Sequence, residues 1–231
     1  MPEGGGVRRY SSPLREENAR RTRQAIITAA HELFTGRGYG TTSLADIAAA
    51  AGVARPTPSA VFGSKPALLK EVVDQALAGD DEPVPVAQRP WFRPVLDAAS
   101  PADVLDAYTE VIMLISRRAA PIYEVARRAA DDDDEIAELW ETLQRSRRAG
   151  AQMVIDRVAA LGPLAEGLDP GRAADIVSVL NDPALPHYLL VRCGWPEAAV
   201  SSWLSTQLRQ NLLPTPTTRI AHESSPGPLS H

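Results

Sequence analysis

Residues 41–69 read TTSLADIAAAAGVARPTPSAVFGSKPALL, and this run restricts the possible fold more than any other part of the 231-residue chain. Thr42 or Ser43 is placed to cap a helix, with Asp46 three residues after Ser43 in capping-box spacing. Leu44, Ile47 and Ala48 give that helix an inner apolar face. Gly52 supplies a turn, with Val53 as the apolar plug beneath it. A third helix is expected from about Arg55 to Phe62. Ser64 is set to cap a fourth, with Pro66 in its first turn, where a missing N–H costs little. Leu68, Leu69, Val72, Val73 and Leu77 carry this last helix to Gly79. Two short helices about a glycine turn predict a helix-turn-helix, whose second helix enters the major groove of DNA.

The helix before this run fits the same design. From about Glu17, apolar residues recur at helical spacing through Ala19, Ile26, Ile27, Ala30, Leu33 and Phe34, and Gly36 and Gly38 end the pattern. Charge follows it too. Residues 1–70 hold ten Arg/Lys against five Asp/Glu, whereas 71–231 hold fourteen against twenty-four. A basic third on an acidic body suits a polyanion engaged through one end, although so small an imbalance also arises by chance.

Unpaired N–H groups and hydroxyls at the start of such helices donate to phosphates. Thr41, Thr42, Ser43, Thr57 and Ser59 stand where those donors are wanted. Lys65 opens the fourth helix, and Arg20, Arg21 and Arg23 lie on or before the first. For Thr42 and Ser43, capping and phosphate contact are compatible. For Arg20 to Arg23, a solvated helix face and a backbone or minor-groove contact fit equally.

This stretch closely resembles the DNA-binding domain of the TetR family of one-component transcriptional repressors. The matching residues are Thr42, Ile47, Ala48, Ala51, Gly52, Val53, Thr57, Phe62, Ser64, Lys65, Leu68 and Leu69. The preceding helix fits through Ile27, Ala30, Leu33, Phe34 and the turn from Gly36 to Tyr39. The resemblance covers about residues 19–75. Two positions depart from it: Pro58 replaces the family's apolar residue after the Thr, and Ser59 its phosphate-contacting Tyr. Ala60 offers no base hydrogen bond, so direct readout falls mainly on Arg55 and Thr57, and binding weaker or more backbone-dominated than the family norm is expected.

The fold expected is all-α, a three-helix helix-turn-helix domain over 16–79 and a larger helical effector-binding and dimerisation domain over 95–213. A disordered basic arm (1–15), a Pro-rich acidic linker without helical period (80–94) and a disordered tail (214–231) complete the chain. Helical segments are expected near 101–118, 121–130, 134–161, 170–182 and 195–212, with Pro183 and Pro186 breaking the chain between the last two.

The resemblance implies a ligand pocket and a dimer interface in this second domain. Tyr108, Met113, Tyr123, Trp140 and Met153, with His187 and Tyr188, are the candidate pocket lining, although each fits an ordinary core as well. Ile176, Leu180, Ala199, Trp203 and Leu204 lie on two apolar stripes that suit either a monomer core or a four-helix dimer seam.

Other classes find little support. No apolar run is long enough to span a membrane and the N-terminus has no secretory signal, so a cytoplasmic location is expected. Cys193 is the single cysteine, read as a small apolar packing residue. Asp131 to Asp134 read as a solvated loop and helix cap, not a metal site. His31, His187, His222 and His231 stand in no catalytic pattern, and no phosphate-cradling glycine motif occurs. The partners expected are a palindromic double-stranded DNA operator, a small-molecule effector and a second copy of the chain. No cofactor, metal or enzymatic activity is expected. The alternative is a TetR-like dimer with weakened or lost specific DNA binding, acting as a ligand- or protein-binding module.

Overall fold

The computed structural model describes residues 13–215, and the expected N-terminal arm over 1–12 and the tail from 216 lie outside them. The described residues form helices joined by turns, with no strand among them. Helix α1 spans Pro13–Arg37, starting earlier than its apolar pattern, so residues 13–15 are helical rather than part of an arm. Three short elements follow: α2 (Leu44–Ala50), α3 (Thr57–Phe62) and α4 (Lys65–Ala78).

Their boundaries have local causes. Ser43 accepts from the Asp46 amide while the Asp46 carboxylate accepts from the Ser43 amide, which closes the expected capping box. Ser64 caps α4 through the Ala67 amide, and Gly79 ends it in the left-handed region at φ 95°. A side chain at Gly79 would also run into the Arg118 guanidinium.

Residues 80–94, expected to lack helical period, contain two single 3-10 turns, Val86–Gln88 and Pro90–Phe92, and lead into α5 (Arg93–Asp97). Arg89 organises this crossover. It is only 3% exposed, donating to both Asp80 carboxylate oxygens at 2.6 Å and to the carbonyls of Glu82 and Val84 at 2.7 and 2.9 Å. Such multiple satisfaction is what allows a guanidinium to be buried. Phe92 and Val95 thereby enter the core.

Beyond the crossover, α6 (Pro101–Ala129) and α7 (Asp134–Leu161) form a long antiparallel pair. Helix α6 runs unbroken where two segments were expected, with Pro121 inside it. The missing proline N–H leaves the Arg117 carbonyl without its helical partner, a cost that packing on both sides of α6 offsets. Helix α8 (Pro170–Leu180) ends at Asn181, followed by a single turn, α9 (Ala184–His187), a π-helical turn (Tyr188–Arg192) and α10 (Glu197–Leu212).

Two apolar cores are strung along α6. The first joins Ile26, Phe34, Ile47, Leu68 and Val72 of the N-terminal helices to Ile122, Tyr123 and Ala126 of α6 and Ile136 and Leu143 of α7. The second joins the N-terminal half of α6 to Phe92, Val154, Val177, Leu204 and Leu208. The four N-terminal helices are thus packed on the C-terminal half of α6, whose other half lies in the second core.

Candidate nucleic-acid interface and ligand cavity

Helix α2, the turn and α3 are held by short-range bonds. Gly52 takes φ 67° in the turn, and the Val53 amide returns to the Ala48 carbonyl at 3.0 Å. Pro56 precedes α3, so Pro58 falls in the first turn, where its lost N–H breaks no helical bond, and its ring is buried. The fold therefore accepts this departure, and Arg55 in the turn before α3 and Ser59 and Ala60 on it face solvent, with Thr57 half-buried. Arg55 makes no hydrogen bond with the described residues, so its guanidinium is free to meet an anion.

The hydroxyls are less free than their spacing implies. Thr42 is 2% exposed and donates to the Gly38 carbonyl at 2.8 Å. Its side chain is a strut inside the α1–α2 turn, which corrects its assignment as a contact. Thr41 is exposed and donates to the Arg37 carbonyl at 2.6 Å, and Ser43 donates to Asp46 at 2.6 Å. Ser59 lies on the Gly63 carbonyl at 3.2 Å, turned along its own helix.

Lys65 is engaged within the fold as well. Its ammonium donates to the Tyr39 and Thr42 carbonyls at 3.0 and 3.1 Å and stands 4.0 Å from the Tyr39 ring centroid. It clamps the α1–α2 turn to α4 through two of its three N–H donors. Burial pulls its pKa down, with Asp133 opposing. Arg23 pairs with Glu71 at 2.8 Å and lies over the Phe62 ring at 4.5 Å, so it braces α3 against α1 and α4. Arg20 is exposed and bound to Glu17 at 3.1 Å. Sequence reasoning passed over Arg37, which is exposed and close enough to Asp46 to help lower its carboxyl pKa after the two Ser43 hydrogen bonds. A lone arginine between two helix-ending glycines was its only signal.

An apolar cavity lies beside these N-terminal helices. It encloses about 430 Å³ between α4, α6, α7 and the turn after α8. Tyr108, Tyr123 and Met153 line it, together with Phe92, Ile112, Ile115 and Leu143. Four expected members do not. Met113 is buried, but it stands one helical position off the α6 face formed by Tyr108, Val111, Ile112 and Ile115. Trp140 packs edge-on against Tyr123, centroids 5.0 Å apart, within the first core. His187 and Tyr188 line a separate open cleft of about 1020 Å³ beside the α1–α2 turn, because α9 buries Pro186 instead.

Arg147 and Asn181 are the cavity's unforeseen polar members. Arg147 donates to Asn181 Oδ1 at 2.9 Å, and Asn181 donates to the Tyr108 hydroxyl at 2.7 Å. Burial raises the pKa of Tyr108, opposed by that hydrogen bond and by the Arg147 charge. No spacing rule in sequence marks an arginine mid-way along an amphipathic helix as inward-facing.

The apolar stripes of α8 and α10 divide between two roles. Leu204 is fully buried in the monomer core, which removes it from any surface seam. Ile176, Leu180 and Trp203 are half-buried and Ala199 is exposed. Val179 between them is 67% exposed, and Val191, in the nearby π turn, 63%. Cys193 is exposed instead of packed.

The described residues form an all-helical fold, with an N-terminal helix-turn-helix and a second helical unit around an apolar cavity. Residues 26–72 match the family model described as bacterial regulatory proteins, tetR family. The chain is 28% identical over 208 residues to the HTH-type transcriptional regulator TtgR of Pseudomonas putida, covering 84% of this chain and 92% of that one. Among solved structures, NalD of Pseudomonas aeruginosa, the secondary repressor of the MexAB-OprM multidrug efflux pump, superposes with a TM-score of 0.64 at 20% identity, over 85% of this chain and 97% of that one. The SmeT–triclosan complex superposes with a TM-score of 0.65 at 19% identity, over 91% and 99%. At such identities these two structures establish the fold. Residues 26–72 thus match the DNA-binding domain of the tetR family, and the chain as a whole is similar to TetR-type transcriptional regulators. Among the described residues, no helix is long and apolar enough to cross a membrane.

Proposed function

We propose that this protein is a homodimeric, ligand-responsive repressor that docks two helix-turn-helix heads on a palindromic operator and releases it when a small molecule fills the cavity of about 430 Å³. The observation that carries the reading is the joining of that cavity to the reading head. Tyr123 belongs to the core that holds α1 and α4, and it also lines the cavity. A ligand that favours one placement of α6 therefore shifts the head, provided it binds the two placements unequally. The apolar strip around Val179 and Trp203 serves as the dimer seam, since a palindrome requires two-fold symmetry. Direct base readout falls on Arg55 and Thr57, with Arg20, Arg37, Thr41 and Ser43 at the backbone. The site of action is the cytoplasm, where the operator is.

The engaged Ser59 hydroxyl favours one second reading, a dimer whose specific DNA binding is weakened or lost and which acts as a ligand- or protein-binding module. Selection from a random duplex library separates the two. The repressor recovers a palindrome and loses roughly 10³-fold or more in affinity between about 50 and 200 mM salt. Recovery of no preferred sequence, with a shallow salt slope, establishes the module instead.

A further inference from the structure

The polar end of the cavity is chemically one-sided. Arg147 is the one ionised side chain in its lining, and its nearest carboxylate, Asp182, lies 3.6 Å away, outside the wall and about one-third exposed. The other acceptors of Arg147 are neutral: Asn181 Oδ1 at 2.9 Å and Gln144 Oε1 at 2.5 Å. Its positive charge is therefore only partly balanced, in surroundings that weaken screening.

The hydroxyls beside it point to the same conclusion. Tyr108 is 6% exposed and accepts from Asn181 Nδ2 at 2.7 Å, so its own O–H is left to donate, and no acceptor for it exists among the described residues. A buried hydroxyl that receives but does not give is an unspent donor. Tyr123, also buried, stands close enough to Arg147 for the guanidinium to oppose the rise that burial causes in its pKa. Asn181 Oδ1 is already taken by Arg147. The polar end therefore presents donors and one positive charge, and no free carboxylate. Apart from the Ser146 hydroxyl, the rest of the lining is apolar, with Leu77, Val86, Phe92, Ile112, Ile115 and Met153 among it.

We infer that the effector is an amphipathic monoanion, an apolar or aromatic body of cavity size ending in one carboxylate or phenolate, with the oxyanion on Arg147 and the Tyr108 hydroxyl. This rests on the proposed effector role of the cavity and adds the ligand's charge class. A charge-assisted guanidinium–oxyanion contact is short and strong, whereas a cation placed there meets the Arg147 charge, with the one nearby carboxylate, Asp182, already paired to it.

The test uses the full chain and three probes of nearly equal shape: 2-naphthoate, neutral 2-naphthamide and 2-naphthylmethylammonium. Binding at neutral pH is read by calorimetry and by tryptophan fluorescence. The expected order is naphthoate tighter than naphthamide by about tenfold or more, with no binding of the ammonium probe. Arg147→Met should erase the difference between naphthoate and naphthamide. Tyr108→Phe, which keeps the ring and the core, should weaken naphthoate several-fold. Should Arg147→Met fail to fold, Tyr108→Phe and the order on the unaltered protein still decide the matter. Equal binding of naphthoate and naphthamide, or preference for the ammonium, overturns the charge class while leaving the effector cavity standing. Binding of none of the three overturns both.

Discussion

Tyr39 links the two domains through a single side chain. Its hydroxyl donates to Asp133 Oδ2 at 3.3 Å, its carbonyl accepts from Lys65, and its ring lies under the Lys65 ammonium. Asp133 in turn caps α7 through the Glu135 and Ile136 amides. Burial first, and the neighbouring Asp133 second, push the Tyr39 phenol well above its ordinary value near 10. A group whose folded pKa is raised adds stability below its unfolded pKa and loses it as pH rises towards the folded value. Stability should therefore fall from about pH 10 upward, and Tyr39→Phe should make that slope shallower by about one proton, read from urea midpoints across the range. Tyr108 and Tyr123 are raised in the same direction and account for the slope that remains. An unchanged slope in the variant would show that Tyr39 ionises freely in the folded protein.

At Ser59 the residue scale meets DNA. Its hydroxyl lies on the Gly63 carbonyl, and a serine has less reach than a tyrosine. Ser59→Tyr should tighten binding to the selected duplex, several-fold, with little change in stability because the position is exposed. A variant that binds no tighter than the unaltered protein removes the account of weak readout.

Among the elements, the crossover is where sequence and structure part most. Its prolines and acidic residues read as a linker, yet Arg89 ties it to Asp80 and Phe92 enters the effector core and the cavity wall. Phe92→Ala should cost about 3–5 kcal/mol, read by chemical unfolding, and a loss below about 1 kcal/mol would mean the crossover is not part of the core. The scaffold of α2 to α4 was legible because capping and glycine turns are local: Ser43 with Asp46, Gly52, Ser64 and Gly79 act through neighbours in sequence. The contact and pocket residues were less so. Thr42 and Lys65 look like phosphate donors until tertiary structure supplies the Gly38, Tyr39 and Thr42 carbonyls that occupy them. Met113 and Tyr108 both fall in the buried pattern of α6, and only the helical phase of α6 in the fold decides which faces the cavity. Arg147 faces inward because Asn181, thirty-four residues on, meets it there.

For the whole molecule, the proposed dimer separates two kinds of apolar residue on neighbouring helices. Val179 is exposed on α8, whereas Leu204 on α10 is buried in the monomer. Val179→Asp should yield a folded monomer by sedimentation, with unchanged helicity and no affinity for the palindrome. Leu204→Asp should instead unfold the domain, because it leaves a charge in the core without a partner. A Val179→Asp protein that stays dimeric places the seam elsewhere.

The central claim is that cavity and operator are coupled, and coupling of binding free energies is reciprocal. Its most direct measurement is the affinity of the selected duplex with and without saturating 2-naphthoate, set against the affinity of naphthoate for free and duplex-bound protein. The account predicts that each ligand weakens the other by the same factor, roughly 5- to 150-fold. Duplex affinity that stays unchanged while naphthoate fully occupies the cavity would contradict it.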